Sequence, residues 1–450
     1  MRFLPQGNDW RVAVVGLGYV GSCLAAALAD RGLDVVGVDV DPWLVAELES
    51  GHCRFHEEGL GELLTRAIAA GRLQVTTDYS AAGAADVVVI AVGTPVRDDG
   101  SLAAEQLSAA CAGLSRQVRE GQLIVLKSTV PPGTTRGLVL PLLERGGRYG
   151  GVDFGLAFMP ERLAEGTALP ELRTLPMVAG GLDIDSTQAA ARFWRTALGV
   201  EVMELGSLES AEIVKLADNW WIDLNIAMGN ELAKFCALFD VDVLDVIAAA
   251  NSIPKGAGQV NILLPSVGVG GSCLTKDPYM VWQSARRRGL DIRTALTARE
   301  VNVGMPEYTA QLIIDSLTTL GKDPAAARIA VLGLAYKNNT GDLRATPVQG
   351  TVEALLKAGA EVRLFDPLVA TGRAAEQFGI EPAETMLDAV ADADCIAVLA
   401  LHREFENIDF TALPVATPCV LLDGRAYFSR EKIAALSAQG YIYRGIGRSA

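Results

Sequence analysis

Short apolar runs alternate with longer mixed segments along the chain, and the first of them begins a strand–turn–helix–strand pattern. In "DWRVAVVGLGYVGSCLAAALADRGLDVVGVDVD", residues 11–15 predict a strand, residues 21–30 predict a helix, and "DVVGVDVD" predicts the next strand. Three further apolar runs follow, in "ADVVVIAVGTP", "QLIVLKSTVPPGTT" and "GLAFMPERLAEG". Strands that alternate with helical segments predict a parallel sheet with helices packed on its faces.

The pattern of the beginning recurs in the last third of the chain. The stretch "ARIAVLGLAYKNNTGDLRATP" at 327–347 repeats "WRVAVVGLGYVG", and "AEVRLFDP" and "DADCIAVLALH" repeat the strands that follow. A second half of the same strand–helix type is therefore predicted.

Between the two halves the pattern is helical. Residues 207–238, "SLESAEIVKLADNWWIDLNIAMGNELAKFCAL", contain no proline, and only Gly229 weakens the predicted helix. A second helix, "VDVLDVIAAAN", precedes the glycine-rich stretch "GVGGSCLTKDP". The fold class predicted is α/β, with two Rossmann-like domains joined by a long central helix and a helical middle domain. The predicted domains are 1–200, 201–305 and 306–450.

The charge balance narrows the class of ligand. The chain has 39 Lys and Arg against 54 Asp and Glu among 450 residues, a net charge of -15. Such a chain is a poor candidate for nucleic acid or an anionic membrane surface. No run of about eighteen apolar residues predicts a membrane span, and the start "MRFLPQGNDWR" does not resemble a signal peptide. The expected location is the cytoplasm.

The cysteines and histidines are few and scattered. The seven cysteines form no CxxC pair, which argues against a disulfide framework or a metal site. Six of them are expected to be ordinary buried residues, whereas Cys273 lies among glycines. The three histidines, His52, His56 and His402, are expected to be surface or capping residues because none lies in a catalytic context.

The first turn predicts a dinucleotide site. Gly16, Gly18 and Gly21 form GxGxxG between a strand and a helix, and Asp39 ends the second strand. The glycines permit a tight turn, close approach of a pyrophosphate and close packing of helix on strand. Because a carboxylate bonds a ribose hydroxyl and repels a 2′-phosphate, the cofactor predicted is NAD rather than NADP.

Other polar side chains fall at the carboxyl ends of predicted strands, where ligands bind in an open parallel sheet. They are Thr94, Thr129 and Glu161. Glu161 is a candidate for activating water, although with Arg162 and Glu165 it could equally be ordinary surface charge.

The glycine-rich stretch offers a nucleophile. A thiol near a nicotinamide can add to an aldehyde, and the adduct can be oxidised to a thioester that water cleaves. Asp277 lies four residues after Cys273, so one helical turn could bring them together, and it is a candidate base. Lys215 and Asn219 are also four apart and could bind an oxyanion. Taken singly, Lys215 could be a solvated helix residue and Asn219 a cap.

The turn of the second half differs from that of the first. It reads GLAYK, so Ala335 and Lys337 stand where the first half has glycine and the helix start. A dinucleotide fits poorly there. Lys337 and Arg344 instead suit the phosphates of another nucleotide, or they are solvated surface charges.

Several motifs in order resemble the UDP-glucose/GDP-mannose dehydrogenase family over essentially the whole chain. They are "GLGYVG", "VGTP", "KSTVPPGT", "PERLAEGTAL", "EIVKLADN" with "NEL", "GVGGSCLTKDP" and "GLAYKNNTGDLRATP". The resemblance implies an N-terminal NAD domain, a central domain that dimerises and carries the cysteine loop, and a C-terminal domain that binds a UDP-sugar. It also implies two successive oxidations at C6 of that sugar in a homodimer or higher homo-oligomer, in polysaccharide biosynthesis.

The resemblance also assigns residues. It makes Cys273 the nucleophile, surrounded by Lys215, Asn219 and Asp277, with Glu161 and Thr129 handling water and protons. The implied cofactor contacts are Gly16, Gly18, Tyr19, Val20, Gly21, Asp39, Thr94, Thr129 and Glu165. The implied substrate contacts are Glu161, Arg162, Leu163, Lys215, Asn219, Asn261, Gly270, Lys337 and Arg344.

Shorter stretches of sequence similarity to branches of the family indicate which sugar is oxidised. "PERLAEGTALPEL", "VNILLPSVGVGG" and "AREVNVGMP" are similar to the branch that oxidises UDP-N-acetylhexosamines such as UDP-N-acetylmannosamine, while "GGSCLTKD" is closer to the UDP-glucose branch. Gln259 stands where the first branch tends to have an arginine that reaches the partner subunit's sugar, and Lys255 is a candidate replacement.

Two other functions compete with this one. A single-step NAD-dependent β-hydroxy acid dehydrogenase would need Lys215 and Asn219 but not Cys273. An NAD-sensing binding protein would need only Gly16 and Asp39. The first does not explain the third domain or "GGSCLTKD", and the second would not need the helix pair or the thiol.

Overall fold

The computed structural model describes residues 2–55, 57–256 and 258–449. They form two compact units. The first unit comprises the described chain up to Asp218 together with Gln283–Leu290, and the second comprises Asn219–Trp282 and the described chain from Asp291 onward. The predicted boundaries at 200/201 and 305/306 stay a prediction.

The first unit is built on a sheet of eight strands. They are β1 (Arg11–Val15), β2 (Asp34–Val38), β3 (Leu73–Thr76), β4 (Val87–Ile90), β5 (Leu123–Leu126), β6 (Gly155–Phe158), β7 (Met177–Gly181) and β8 (Val202–Leu205). Their order is β3-β2-β1-β4-β5-β6-β7-β8, and all neighbours are parallel except β6 and β7. Strands β4 to β7 are buried along their whole length, which is why they consist of unbroken small and apolar residues rather than alternating ones.

Helices cover this sheet. They are α1 (Tyr19–Asp30), α2 (Pro42–Glu49), α3 (Leu60–Ala69), α4 (Glu105–Ser115), α5 (Leu140–Leu143), α6 (Ala168–Thr174) and α7 (Ile184–Leu198), with single turns at Tyr79–Ala84, Thr135–Val139 and Glu144–Gly146. Helix α1 begins at Tyr19, two residues before the predicted start. It is buried from Gly21 to Ala29, so its alanine-rich sequence allows close packing on the sheet.

A long helix leads from the first unit into the second. Helix α8 runs from Leu208 to Ala237, within one residue of the prediction, and α9 (Val243–Asn251) follows. Next come two antiparallel strands of two residues each, β9 (Pro254–Lys255) and β10 (Gly258–Gln259). They are followed by α10 (Asp277–Arg286), α11 (Arg293–Val303) and α12 (Met305–Thr319). The glycine-rich stretch lies between β10 and α10.

The second unit holds the second sheet. Its strands are β11 (Arg328–Leu332), β12 (Glu361–Phe365), β13 (Cys395–Val398), β14 (Cys419–Asp423), β15 (Tyr441–Gly445) and β16 (Arg448–Ser449), in the order β12-β11-β13-β14-β15-β16. Only β16 is antiparallel. The accompanying helices are α13 (Pro347–Lys357), α14 (Thr371–Phe378), α15 (Met386–Val390), α16 (Arg403–Glu406) and α17 (Arg430–Ser437), with single turns at Pro324–Ala326 and Phe410–Ala412.

The central strands of the two sheets correspond. In the first sheet β1 lies between β2 and β4, and in the second β11 lies between β12 and β13, all parallel. The α/β fold with two Rossmann-like halves, a long helix and a helical middle is thereby confirmed. In the part of the chain that the structure describes, no helix has both the length and the apolar character needed to cross a bilayer.

Candidate active site

The glycines of the first turn each meet a different steric demand. Gly16 has φ +92°, and a Cβ there would lie 2.9 Å from the backbone of Ala91. A Cβ on Gly21 would lie 1.8 Å from the carbonyl oxygen of Gly16, whereas one on Gly18 would meet nothing within 4 Å. Gly18 is exposed at the start of α1, so the backbone there is open to a phosphate at a helix N-terminus. This geometry fits the pyrophosphate of a dinucleotide.

Asp39 lies directly after β2, as predicted. Its Oδ2 accepts the N–H of Leu17 at 2.6 Å, and its Oδ1 accepts the N–H of Asp41 at 3.0 Å. These bonds fix the carboxylate beside the glycine turn and leave it half-buried. Since each carboxylate oxygen can accept a second hydrogen bond, Asp39 can still bind a ribose hydroxyl.

Tyr19, predicted to contact the cofactor with Val20, lies in the first turn of α1 and is held by an acid that the sequence did not indicate. Its hydroxyl donates to Glu57 and accepts the N–H of Gly166 at 3.1 Å. Glu57 also accepts the N–H groups of Gly166 and Leu169 at 2.8 and 3.2 Å. Burial and the bond to Glu57 raise the pKa of Tyr19 far above its usual range. The cofactor turn is thus tied to the loop that carries Glu161.

The predicted hydroxyl residues follow neighbouring strands. Thr94 is buried after β4, and Thr129 is half-buried after β5. Ser128, beside Thr129, donates to the carbonyl of Val92 at 2.7 Å. Because β4 and β5 pair in parallel, both threonines lie at the same edge of the first sheet as the glycine turn.

Glu161, after β6, is paired with a buried lysine that the sequence analysis did not select. The ammonium nitrogen of Lys127 lies 3.2 Å from Glu161 Oε2 and 5.0 Å from the centre of the Trp194 ring. Glu161 Oε1 accepts the N–H groups of Arg162 and Leu163 at 2.7 and 3.0 Å. Lys127 is 2% exposed, which excludes the reading of Glu161 as an isolated surface charge. A lysine at the end of an otherwise apolar strand was the available signal.

The neighbours of Glu161 have separate partners. Arg162 pairs with Asp218 at 2.9 Å, while the half-buried Leu163 packs against the core of the first unit. Glu165 is half-buried on the same loop. These contacts order the predicted substrate-contacting loop from within the first unit.

In the second unit, Cys273 is exposed on a turn just before α10. Its carbonyl accepts the N–H groups of Lys276 and Asp277 at 3.1 and 2.9 Å, which closes one helical turn. Among the described cysteines it alone is exposed; the others are buried apart from Cys53, which is half-buried rather than buried as expected. Burial raises the pKa of Cys111 and Cys419 to about 12. An exposed thiol is therefore found at Cys273 and not at those sites.

The predicted partners of the thiol form a buried pair. Asn219 Nδ2 donates to Asp277 Oδ2 at 2.5 Å, and Lys276 Nζ lies 2.6 Å from Asp277 Oδ1. Asp277 is fully buried, so its carboxylate orients Asn219 and Lys276 while its backbone closes the turn of Cys273. Lys215, one turn earlier on α8, is also buried. The reading of Lys215 as a solvated helix residue is wrong.

The glycines before Cys273 are required by packing within the second unit. A Cβ on Gly270 would lie 2.5 Å from Tyr336 Cβ and 2.7 Å from the carbonyl oxygen of Ala345. The N–H of Gly271 donates to the carbonyl of Arg344 at 3.0 Å. Asn261, further upstream, is exposed, and its carbonyl accepts a bond from Asn225. The loop of Cys273 is thus joined directly to the loop of the predicted nucleotide-binding residues.

The predicted nucleotide-binding cations lie after β11. Arg344 is exposed, and Asp342 holds its Nε at 2.8 Å and its Nη2 at 2.5 Å. Lys337 is half-buried on the same loop. Arg425, which the sequence analysis did not select, follows β14 and donates to the carbonyl of Tyr336 at 2.6 Å. A third cation therefore lies at this edge of the second sheet.

The second Rossmann-like half does not leave a carboxylate available for a ribose hydroxyl, as the first half does with Asp39. Asp366, after β12, accepts the N–H of Leu334 at 2.7 Å, just as Asp39 accepts that of Leu17. However, Asp366 also accepts from Leu368 and Ala335 and lies 2.9 Å from Nε2 of His402. Its carboxylate is buried and used internally, which agrees with the expectation that a dinucleotide fits poorly there.

The expectation of a surface histidine at 402 is wrong. His402 is fully buried, and its Nδ1 accepts the N–H of Asn339 at 2.9 Å, so Nε2 carries the proton that is donated to Asp366. It occupies the N-cap position of α16 without capping through its side chain. His52 is exposed as expected, and His56 lies outside the described residues.

Comparison with known proteins assigns all three parts of the chain to one family. Models of the UDP-glucose/GDP-mannose dehydrogenase family match in order: its NAD binding domain at 10–198, its central domain at 209–303 and its UDP binding domain at 330–430.

Individual relatives match over nearly the full length. The chain is 32% identical over 440 residues to a UDP-N-acetyl-D-mannosamine dehydrogenase of Pyrococcus horikoshii, and the matched region covers 97% of this chain and 99% of that protein. It is 34% identical over 433 residues to the UDP-glucose 6-dehydrogenase AglM of Haloferax volcanii, with coverage of 94% and 98%.

Solved structures agree. The structure of the P. horikoshii UDP-D-ManNAc dehydrogenase has a TM-score of 0.87 at 32% identity, covering 97% of this chain and 99% of that one. A UDP-glucose dehydrogenase of Pyrobaculum islandicum has a TM-score of 0.87 at 31% identity, covering 99% and 100%.

Proposed function

The chain belongs to the UDP-glucose/GDP-mannose dehydrogenase family and is an NAD-dependent nucleotide-sugar dehydrogenase, and on that premise we propose that it oxidises C6 of a UDP-N-acetylhexosamine to the carboxylate. The observation that carries the proposed mechanism is the exposed thiol of Cys273, placed one turn before the buried Asn219–Asp277 pair. Bound NAD supplies the acceptor for both hydrides.

The sulfur divides the second oxidation into two simpler steps. After the alcohol has become an aldehyde, the Cys273 thiolate forms a C–S bond to the carbonyl carbon and gives a thiohemiacetal. Loss of the second hydride gives a thioester, and water then breaks the C–S bond to release the carboxylate and the thiol. The sum is one alcohol and one water converted to one carboxylate, with two hydrides and three protons released.

The residues around the thiol are assigned to the charges and protons that these steps produce. Lys276 lies within the same turn as Cys273, and its ammonium group pairs with Asp277 at 2.6 Å. Asn219 gives one amide N–H to Asp277, and we assign its other N–H, with Lys215, to the developing oxyanion. Asp277 retains the role of proton acceptor and orients both Asn219 and Lys276.

The first unit supplies the water chemistry and the cofactor contacts. Glu161, with Thr129, is assigned to the water that cleaves the thioester. The cofactor contacts are assigned as predicted: Gly16, Gly18, Tyr19, Val20, Gly21, Asp39, Thr94, Thr129 and Glu165. The ammonium group of Lys127 lies 3.2 Å from the Glu161 carboxylate and fixes its position.

The nucleotide is assigned to the second unit. Lys337 and Arg344 bind its phosphates, and Asn261 and Gly270 complete the predicted substrate contacts together with Glu161, Arg162 and Leu163. The N-acetylhexosamine is supported by the P. horikoshii relative, whose name gives UDP-N-acetyl-D-mannosamine as substrate. UDP-glucose is the second candidate, because the H. volcanii relative is a UDP-glucose 6-dehydrogenase.

We assign the working form to a homodimer in the cytoplasm that supplies a uronate precursor for polysaccharide. One face of α8 exposes Trp221, Met228 and Phe235 along an apolar groove of about 630 Å³, a surface that a second copy can cover. All described cysteines are free, as is usual in a reducing compartment.

The test is the number of NADH molecules formed per molecule of product. We expect two with UDP-N-acetylmannosamine, and a lower kcat/KM with UDP-glucose, UDP-N-acetylglucosamine and GDP-mannose. Cys273→Ser should lower carboxylate formation by roughly 10³-fold or more, because it removes the nucleophile. One NADH per product, or a Cys273→Ser enzyme as fast as the wild type, would contradict the proposal and favour a single-step dehydrogenase.

A further inference from the structure

The backbone that leads to Cys273 belongs to no helix and no sheet. The described residues 260–266 lie in no helix or strand. Buried or half-buried backbone N–H and C=O groups still need hydrogen-bond partners. The N–H of Val260 donates to the carbonyl of Ile253 at 3.1 Å, and beyond it asparagine side chains bond the backbone of Asn261, Ile262, Leu263 and Ser266.

Asn225 of α8 and Asn251 at the end of α9 bond the segment in the manner of a neighbouring strand. Asn225 donates to the carbonyl of Asn261 at 2.6 Å and accepts the N–H of Leu263 at 2.8 Å. Asn251 donates to the carbonyl of Ile262 at 3.0 Å and accepts its N–H at 2.7 Å. Each amide therefore uses both its donor and its acceptor on the backbone.

Asn230 continues the series toward the cysteine. It is fully buried, accepts the N–H of Ser266 at 2.8 Å, and donates to Asn302 at 2.9 Å. Asn302 in turn donates to Asp223 at 2.8 Å, and Asp223 pairs with Arg299 at 2.7 Å. This third contact is thus anchored in a buried polar network that joins α8 to α11.

The chemistry requires asparagine at these places. A carboxylate of the same shape could accept the N–H groups but could not donate to the carbonyls, and an aliphatic residue could do neither. Downstream, the N–H of Gly271 is bonded to Arg344. The chain is therefore held by hydrogen bonds at residues 261–266, before the glycines, and again at Gly271, shortly before Cys273.

We propose that Asn225, Asn230 and Asn251 are positioning residues that hold the Cys273 loop where its sulfur captures the aldehyde. This inference rests on the proposed function, in which Cys273 is the nucleophile. A displacement of about 1 Å can cost about 10²-fold in a step that depends on near-attack geometry. Loosening the segment should slow capture of the aldehyde and leave the first oxidation, which does not use the sulfur, largely unchanged.

The experiment measures how the aldehyde divides between capture and escape. The enzyme turns over UDP-N-acetylmannosamine with NAD in the presence of hydroxylamine, which converts free aldehyde to its oxime. For Asn251→Ala and Asn225→Ala we expect the oxime fraction to rise about tenfold or more over wild type, with KM for NAD within about twofold. Asn251→Asp keeps the acceptor and loses the donor, so it should lie between Asn251→Ala and the wild type.

Asn407→Ala is the matched control, since Asn407 is exposed in the same unit at the end of α16. It should behave as the wild type. A loss of turnover in the Asn251 and Asn225 variants without any rise in oxime would overturn the inference, because a purely structural defect slows both oxidations alike. An oxime fraction equal to that of Asn407→Ala would do the same.

Failure of the underlying function is recognised separately. If Cys273→Ser still forms carboxylate with two NADH, Cys273 is not the nucleophile, and the inference falls with it. If Cys273→Ser is blocked and the asparagine variants release no aldehyde, the proposed function stands and only the positioning role is overturned. Hydrogen exchange of residues 260–268 gives the structural readout without cofactor: faster exchange in Asn251→Ala than in Asn407→Ala is expected, and equal exchange contradicts the inference.

Discussion

Neighbouring groups decide what an acidic side chain can do in this protein, as Asp39 and Asp366 show. Both follow the second strand of a Rossmann-like half and accept the N–H of the residue after its first glycine. Asp39 is half-buried and keeps acceptor positions for a ligand, whereas Asp366 is closed off by His402 and three backbone N–H groups. The same residue type thus remains available to a ligand in one half and is used by the fold in the other.

Glu212 allows a test of stability against pH. It is buried on α8 and accepts bonds from the N–H of Gly133 at 2.5 Å and from Thr135 through N–H and hydroxyl at 2.8 and 2.6 Å. Burial raises the pKa of the Glu212 carboxyl above its ordinary value of 4.5, although these bonds oppose the shift. The folded state therefore binds the proton more tightly than the unfolded chain, so this contribution to stability is complete below about pH 4.5 and is lost as pH rises through the raised pKa.

We expect Glu212→Gln to lower the free energy of unfolding by about 1–3 kcal/mol, because an amide cannot accept from both Gly133 and Thr135. The advantage of the wild type should be larger at pH 5 than at pH 7.5 in urea unfolding. An advantage that grows with pH would contradict the assigned direction of the shift.

At this scale the sequence indicated residues whose role follows from local spacing. Cys273 stands out by its glycines, and Lys215, Asn219 and Asp277 stand out by intervals of one helical turn. Glu57 and Arg425 could not be selected, because their partners are distant in sequence: Glu57 meets Tyr19 and Gly166, and Arg425 meets Tyr336. Lys127 left a single signal, a lysine at the end of an apolar strand, and its partner Glu161 is also distant in sequence. His402 was misjudged for the same reason, since its partner Asp366 lies 36 residues away.

At the scale of elements, helix α8 combines several tasks on one continuous backbone. Lys215 and Asn219 are the residues proposed to bind the oxyanion, Asn225 and Asn230 bond the segment before the thiol, and Gly229 allows that segment to approach. Its length and position were predictable from the absence of proline and glycine breaks. The reason for glycine at position 229 was not predictable. The sequence shows that glycine weakens the helix, but it does not show that the carbonyl oxygen of Leu263 lies close to this position.

Gly229→Ala tests this close approach. A Cβ at Gly229 would lie 2.4 Å from the carbonyl oxygen of Leu263, so the segment held by Asn225 must shift. We expect a loss of about 1–3 kcal/mol in unfolding free energy, with a reduced kcat.

Gly61→Ala is the matched control. Gly61 lies inside α3, and a Cβ there would meet nothing within 4 Å. That variant should be neutral or more stable by up to about 1 kcal/mol, since alanine favours a helix. Equal effects of the two substitutions would show that the contact with Leu263 does not matter.

At the scale of the whole molecule, the order of strands and helices was predictable because each apolar run is bounded by its own turn signals. The internal repeat of the sequence was sufficient to identify both Rossmann-like halves. The surface left for a partner could not be read from sequence, because the exposed Trp221, Met228 and Phe235 are indistinguishable there from core residues of the same helix.

The proposed dimer can be tested on this groove. Met228→Glu places a charge among apolar lining residues and should lower the mass measured by light scattering from that of a dimer to that of a monomer. Ile213→Glu, at an exposed position of the same helix that does not line the groove, should leave the mass unchanged. A dimeric Met228→Glu protein would place the subunit contact elsewhere.

The bond from Gly271 to Arg344 has a consequence for the size of ligand. It ties the turn that carries Cys273 to the loop of Lys337 and Arg344, the proposed phosphate-binding residues, within one unit, so the span from that loop to the sulfur has a set length. We expect this fixed distance to select ligands by length. A hexose joined directly to a diphosphate should reach the sulfur with its last carbon. A bare sugar phosphate should leave the phosphate-binding residues unoccupied, and a disaccharide should extend past the sulfur.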